Sequence, residues 1–298
     1  MNKDIEKFVS NRPEVVAAYG YGSGIFKQSG YTSKDKPQID LILVVDNLRK
    51  WHLANIKLNK KDYSMIGKAF FKHADISKLK GLTGITYVSN IEENGSIYKY
   101  GTIEEKDLIK NLETWNSFYL PGRFQKTIYP IKESKELSEA IEKNRQNALM
   151  LAGYLQETDK VSKKDMFVTL CGLSYLGDTR MKFAENPRKV LNIVEGSFDT
   201  FDKLYKFDKK YFNVKSDKII IDKKEIKEDL TNLPSGLINY IKEDLDKEDD
   251  IIREKILAYF TELNKKESTK QTIKGIYTNG ICRSINYASK KLTKRFKK

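Results

Sequence analysis

The clearest hydrophobic pattern in the chain is the run Ile39-Asp40-Leu41-Ile42-Leu43-Val44-Val45, nearly continuously apolar and rich in β-branched residues. Such a run predicts a buried strand, ended here by Asp46-Asn47. Upstream, the short apolar run Val15 to Tyr19 leads into Gly20-Tyr21-Gly22-Ser23-Gly24. Ile85 to Val88 and Ile97 to Ile103 predict two more strands around the turn Glu93-Asn94-Gly95. Acid at its start predicts a helix from Glu104 to Asn111. Residues 1–130 therefore read as mixed α and β.

The period changes after residue 130. Leu137, Ile141, Ala148, Leu151, Ala152 and Leu155 recur at helical spacing. Ser162, before Lys163-Lys164-Asp165, is a candidate N-cap. Pro187 is placed to start a further helix, with Val190, Ile193, Val194, Phe198, Phe201 and Leu204 on its inner side. Lys218 to Asp222 predicts a strand among these helices. Helices with one short hairpin suggest a helical, winged-helix-like module over 131–225. Leu237 to Leu245 and Ile251 to Leu263 predict amphipathic helices around the acidic run Glu248-Asp249-Asp250, in a C-terminal region over 226–298. The expected fold class is α+β.

Composition narrows the function classes. The 39% hydrophobic and 11% aromatic content of the 298 residues excludes a disordered chain. With 32% charged residues, no run approaches the ~18–20 apolar residues of a spanning helix, so a polytopic membrane protein is excluded. Cys171 and Cys282 form no CxxC pair, and His52 and His73 are the only histidines, which argues against a zinc site. Few cysteines suit a reducing compartment. Met1-Asn2-Lys3-Asp4 lacks a signal-peptide core and mixes charges unlike a transit peptide, so a cytoplasmic location is expected. Lys plus Arg is 55 and Asp plus Glu is 41, a formal charge of +14. That balance calls for nucleic acid, nucleotides or anionic lipid as partner and does not choose among them.

Four constellations could carry chemistry. Gly20-x-Gly22-Ser23-Gly24 before the Asp40 strand would let backbone N–H groups approach an anion, with a carboxylate alongside. An ordinary turn with Asp40 as a strand-end cap is the plainer alternative. No Gly-Lys-Ser/Thr follows, so it is not a Walker loop, and Phe26-Lys27 stand where a third dinucleotide-fold glycine would be. The second set mixes aromatics and cations: Trp51-His52, Lys57, Tyr63-Ser64, Tyr98-Lys99-Tyr100-Gly101, and Trp115, Tyr119 and Gly122-Arg123. These suit bases and phosphates, and equally suit packing. The third, Gly177-Asp178-Thr179-Arg180, aims a carboxylate and a guanidinium into a cleft or forms a surface pair. The fourth is the tail. Ile281, Ile285, Ala288, Leu292 and Phe296 fall on one stripe beside seven cations. It suits an anionic membrane surface, a docked helix or nucleic acid.

These pieces occur in a known order. Tyr19-Gly20-Tyr21-Gly22-Ser23-Gly24 with Gln28, Ile39-Asp40-Leu41-Ile42, Trp51-His52, Tyr63-Ser64, Lys99-Tyr100-Gly101, Tyr119-Leu120-x-Gly122-Arg123-x-Gln125-Lys126, Gly172-Leu173-Ser174-Tyr175-x-Gly177-Asp178-x-Arg180-Met181 and Gln271-x-x-Lys274-Gly275-Ile276 resemble the mitochondrial-type CDP-diacylglycerol synthases, the translocator assembly and maintenance family. The resemblance spans most of residues 18–280. It implies a nucleotidyltransferase-like domain over 1–130, then the winged-helix-like domain and the C-terminal region. It implies Mg²⁺-dependent transfer from CTP to phosphatidate, peripheral on the inner face of the cell membrane or on the matrix side of the mitochondrial inner membrane, with no nucleic acid.

On the matching positions it implies Asp40, Asp178 and Arg180 as catalytic residues. Asp40 and Asp46 are the implied metal ligands. Tyr19, Gly22, Ser23, Gly24, Lys57, Tyr100, Gly101, Arg123, Lys126 and Lys274 are the implied substrate contacts. The sequence departs from the general Asp-x-Asp pattern, since position 42 is Ile, and the attacking phosphate is already anionic, so one carboxylate could suffice. Pro121 stands where a small Ala is expected, and Thr179 where an aromatic is. A nucleotidyltransferase with a hydroxyl acceptor and a non-catalytic binding protein are the rival classes.

Overall fold

The run 39–45 forms β2 (Ile39–Val45), the middle strand of a five-stranded sheet ordered β3-β4-β2-β1-β5 in a computed structural model of the chain. The structure describes residues 2–26, 37–179, 181 and 186–279, the last five by backbone alone. Its other strands are β1 (Ala17–Tyr21), β3 (Thr86–Glu93), β4 (Ser96–Glu104) and β5 (Ile128–Lys132). β2 and β4 are parallel and the remaining pairs antiparallel, so the sheet is mixed. A parallel pair needs a long crossover. Helices α2 (Leu48–Leu58), α3 (Met65–His73) and α4 (Ile76–Lys80), then β3, supply it. Asn94 and Gly95, both at positive φ (50° and 73°), close the expected β3–β4 hairpin.

Side chains alternate between the two faces of a strand. Leu41, Leu43 and Val45 of β2 and Tyr98 and Tyr100 of β4 point to one face, under α1 (Asn2–Ser10) and α2. Ala17, Tyr19, Ile42, Val44, Tyr87 and Ile103 point to the other. That face is covered by α5 (Glu105–Thr114), α6 (Pro121–Phe124) and the first half of α7 (Lys135–Tyr154).

The second half of α7 enters a separate core with Phe167, Phe201, Ile219 and Phe260, which Trp115 and Phe118 also join. One helix thus serves two cores across the region where the sequence suggests a boundary. Around this second core lie α8 (Lys163–Gly172), α9 (Lys189–Gly196), α10 (Phe198–Leu204), α11 (Lys223–Glu228), α12 (Ser235–Ile241) and α13 (Asp249–Asn279). With them is an antiparallel sheet of β6 (Lys160–Ser162), β8 (Lys218–Ile221) and β7 (Phe212–Lys215). Ser162 caps α8 in a reciprocal box with Asp165. The single helix expected after Pro187 is two helices, broken at Ser197. α13, at 31 residues, far exceeds the expected Ile251 to Leu263. Among the described residues no helix is long and apolar enough to cross a membrane.

Candidate active site

In the sheet register Asp40 lies between Tyr21 of β1 and Lys99 of β4. All three stand on the α5–α7 face, one row beyond the Tyr19–Ile42–Gly101–Tyr87 row. The Asp40 side chain is 24% exposed, and Lys99 Nζ lies 3.9 Å from its Oδ1. Gln38 Nε2 donates to the same oxygen at 3.1 Å. Lys99 Nζ also sits 4.3 Å from the Tyr87 ring centroid. The glycine turn closes over this row. Ile25 and Phe26 N–H donate to Gly22 O at 3.1 and 2.9 Å. Gly22 has φ +77°, and a Cβ there would stand 3.5 Å from Asp40 Oδ2. A Cβ on Gly24 would fall 2.2 Å from Gln38 O. Only glycine lets the turn lie this close to the strand that carries Asp40.

Lys126 lies two residues past the end of α6, and Arg123 lies within α6. Pro121 opens it at a position where a missing N–H costs nothing. Arg123 donates to Tyr119 O and stacks on the Tyr119 ring, 3.8 Å to the centroid, with the Tyr21 ring at 5.8 Å. Lys126 donates to Gly122 O and, at 2.6 Å, to Ser174 Oγ, and its Nζ is 5.2 Å from the Tyr175 ring. Burial pushes the Lys126 ammonium down to about 8. A Cβ on Gly122 would lie 2.4 Å from Ser174 Cβ, so α6 and the turn Leu173–Tyr175 are in close packing.

Three polar groups pin this segment. Asn144 of α7 donates to Pro121 O at 3.2 Å and accepts from Trp115 Nε1 at 2.8 Å and Gln125 Nε2 at 3.0 Å. Arg145 Nε donates to Phe124 O at 3.0 Å. Glu267 of α13 accepts from Phe118 N–H at 3.1 Å, and burial pushes its carboxyl up to about 7.

The structure thus brings together Asp40, the Gly22-Ser23-Gly24 turn, Arg123 and Lys126. Gly101 lies on the same face, where a Cβ would come within 2.4 Å of Ile85 and 2.5 Å of Tyr87. It makes room for packing. Tyr19 also shares the face, one row deeper, fully buried with its ring 5.2 Å from Phe124.

The remaining expected residues lie elsewhere. Tyr100 points to the opposite face, where its hydroxyl accepts from Asn55 Nδ2 at 2.8 Å. Lys57 is exposed on α2, across the sheet from the Asp40 face. Asp46 corrects the expected metal pair. It follows the far end of β2, about 20 Å from Asp40 at ~3.3 Å per residue, and the two cannot share an ion. Lys274 Nζ donates to Lys80 O and Ile85 O at 2.9 Å each, at the sheet end away from Asp40, and burial pushes it down to about 7. Asp178 is buried between Gly177, which abuts Thr261 O, and Thr179, which meets Ser268 Oγ at 3.4 Å. Arg180 and the tail 280–298 lie outside the described residues.

Tyr21, Lys99 and Ser174 stand in the motifs quoted from the sequence, but none of them is given a site role there. Alternation places Lys99 and Tyr100 on opposite faces, but the β2–β4 register that sets Lys99 beside Asp40 is a tertiary fact. Asn144 and Glu267 carry no local signal.

Fold and site together define an α+β protein in which a glycine turn, a strand-end carboxylate and three cations converge at one end of a mixed sheet. Comparison with known sequences is specific. Residues 5–294 match the family described as mitochondrial phosphatidate cytidylyltransferase, and the chain belongs to that family. The protein of that name in Schizosaccharomyces pombe is 42% identical over 191 residues, 63% of this chain and 48% of its own length. The Rattus norvegicus protein is 30% identical over an aligned 319 residues, 98% of this chain and 94% of its own. The Saccharomyces cerevisiae protein is 34% identical over 281 residues, 92% and 66% respectively.

Proposed function

We propose that the chain is a phosphatidate cytidylyltransferase, transferring the cytidylyl group of CTP to phosphatidate. A phosphatidate phosphate oxygen attacks the α-phosphorus of CTP. The new P–O bond gives CDP-diacylglycerol, and the bond to pyrophosphate breaks. The observation that carries this reading is the convergence of Asp40, the Gly22–Gly24 turn, Lys99, Arg123 and Lys126 in a chain of this family. Such a transfer is accelerated by positioning and by fixed charge around the phosphates. The glycine turn would take the β- and γ-phosphates. Lys99, Arg123 and Lys126 would clamp phosphate oxygens, Arg123 held flat by Tyr119.

The residues present fit Mg²⁺. It accepts one or two carboxylates and completes its shell with water and substrate phosphate. Asp40 is part-exposed, and its Oδ2 faces a turn with no side chain at position 22. Asp40 would be the principal protein ligand. Mg²⁺ held there would neutralise triphosphate charge. Of the remaining expected catalytic residues, Asp178 would act from the segment that follows Ser174, and Arg180 is read as a phosphate contact. The unit around β6–β8 is read as winged-helix-like. The basic tail is read as an anionic-membrane contact that keeps the enzyme peripheral, on the inner face of the cell membrane or the matrix face of the mitochondrial inner membrane.

The test is transfer of label from α-³²P-CTP to lipid with the full chain, Mg²⁺ and phosphatidate-containing vesicles. Label in the lipid fraction that requires phosphatidate and is not obtained from ATP supports the reading. Label release without phosphatidate contradicts it.

A further inference from the structure

The corner between α2 and α3 carries apolar side chains that the fold does not use. Leu58, the last residue of α2, is 67% exposed, and Met65 and Ile66, which open α3, are 86% and 51% exposed. One exposed aliphatic is ordinary, but three on the two sides of one connection mark an interaction surface. The corner is well anchored. Ser64 caps α3 by accepting from Gly67 N–H at 3.0 Å, Asn59 Nδ2 donates to Asn11 O at 2.9 Å, and Tyr63 is buried beneath.

Lys57, Lys60 and Lys61 surround it and are exposed, with Lys68 half-buried. Between Asn47 and Ala74 the sole acid is Asp62, which is buried and paired with Arg12 at 3.0 Å. The segment 47–74 therefore presents apolar tips and cations with no exposed carboxylate of its own. Its position is also set. Tyr63 and Asn55 touch Tyr100, the register partner of Leu41, next to Asp40. Asn11, which Asn59 holds, bonds Glu93 at the β3–β4 hairpin. The corner thus lies at the Asp40 end of the sheet.

We propose that the α2–α3 corner inserts into an anionic bilayer, with Leu58, Met65 and Ile66 at the acyl boundary and the lysines on lipid phosphates. Apolar area and cations add in such binding. The surface is built from a different segment of the sequence than the basic tail. It rests on the phosphatidate reading only for its purpose, which is to bring the Asp40 end of the sheet to the lipid.

The experiment uses the full chain with phosphatidylcholine vesicles made with and without phosphatidate. Trp51 and Trp115 are buried, so Met65→Trp adds a reporting indole. Its emission should shift to the blue and be quenched by brominated acyl chains only when phosphatidate is present. Met65→Glu with Ile66→Glu places acid in a first helical turn, which suits the helix. It should weaken vesicle binding by about tenfold or more. Ile220→Glu, on β8, should leave binding unchanged. Turnover of monomeric short-chain phosphatidate should be equal in wild type and the double variant. If neither protein turns it over, the activity reading fails while the binding result still decides this one. An unshifted Met65→Trp signal on vesicle-bound protein overturns the proposal. So does a blue shift without lipid, whether concentration-dependent (a second copy covers the corner) or not (the chain covers it).

Discussion

The two faces of the five-stranded sheet are both rich in tyrosine, Lys or Arg, and Asp, yet they do different things. On the α1–α2 face the polar groups are buried and mostly pair with one another, although Arg12 Nε is left without a hydrogen-bond partner. Arg12 meets Asp62 at 3.0 Å and Glu93 at 3.3 Å, with the Arg12 and Asp62 side chains fully buried. Tyr63 O–H accepts from Asn55 at 2.9 Å and meets His52 Nδ1 at 2.8 Å, while His52 Nε2 meets Thr102 Oγ1 at 2.8 Å. Burial pushes the His52 imidazole well below its ordinary value, so the ring is neutral. On the other face Asp40 and Lys99 stay part-exposed, and Arg123 stands 5.8 Å from the ring of Tyr21, the register partner of Asp40. Burial of the paired groups, rather than residue type, separates the structural polar cluster from the candidate site.

The comparison breaks most sharply at Arg12. Arg12→Ala should cost about 3–5 kcal/mol, because it strands a buried carboxylate. Adding Asp62→Asn should recover part of that loss, as measured by denaturant unfolding of the single and double variants. Equal losses in both would show that the pair is not the stabilising unit. On the open face Arg123→Ala should leave stability nearly intact and lower kcat/KM by about 10²–10³-fold. Arg123→Lys should restore little, because a planar stacked guanidinium is not replaced by an ammonium. A variant that loses stability instead would move Arg123 into the structural class.

The smallest effect concerns pH. Lys126 carries a lowered value of about 8, so it is cationic below that pH and neutral above it. If it grips phosphate, kcat/KM should fall as pH rises through about 8, by tenfold per unit at most, and Lys126→Met should flatten that limb. A limb that persists in Lys126→Met would assign the titration elsewhere.

Legibility from sequence follows the same division. The β2 strand is plain because a strand buried on both faces has to be almost continuously apolar. The Asn94-Gly95 hairpin is plain because positive φ at both positions selects those residues. β5 is not, since it is an edge strand holding Pro130 and shows weak alternation. The Gly-Ser-Gly turn and Asp40 are legible as chemistry. Tyr100 and Lys99, neighbours in one matching block, are told apart only by which face each enters, and that depends on register. Asp46 cannot share an ion with Asp40 for a geometric reason, because five extended strand residues separate the two. Lys274 looks like a substrate cation in the sequence and instead bonds backbone carbonyls, a contact that no local pattern announces.

The proposed chemistry resides at one end of one face, around Asp40. The most direct test compares Asp40→Asn with Asp46→Asn in cytidylyl transfer from CTP to phosphatidate, with Mg²⁺ varied for each. Asp40→Asn should lose about 10²–10³-fold in kcat and respond weakly to added Mg²⁺, while Asp46→Asn stays within about twofold of the unsubstituted chain. Loss of activity in Asp46→Asn, with Asp40→Asn still active, would contradict the account.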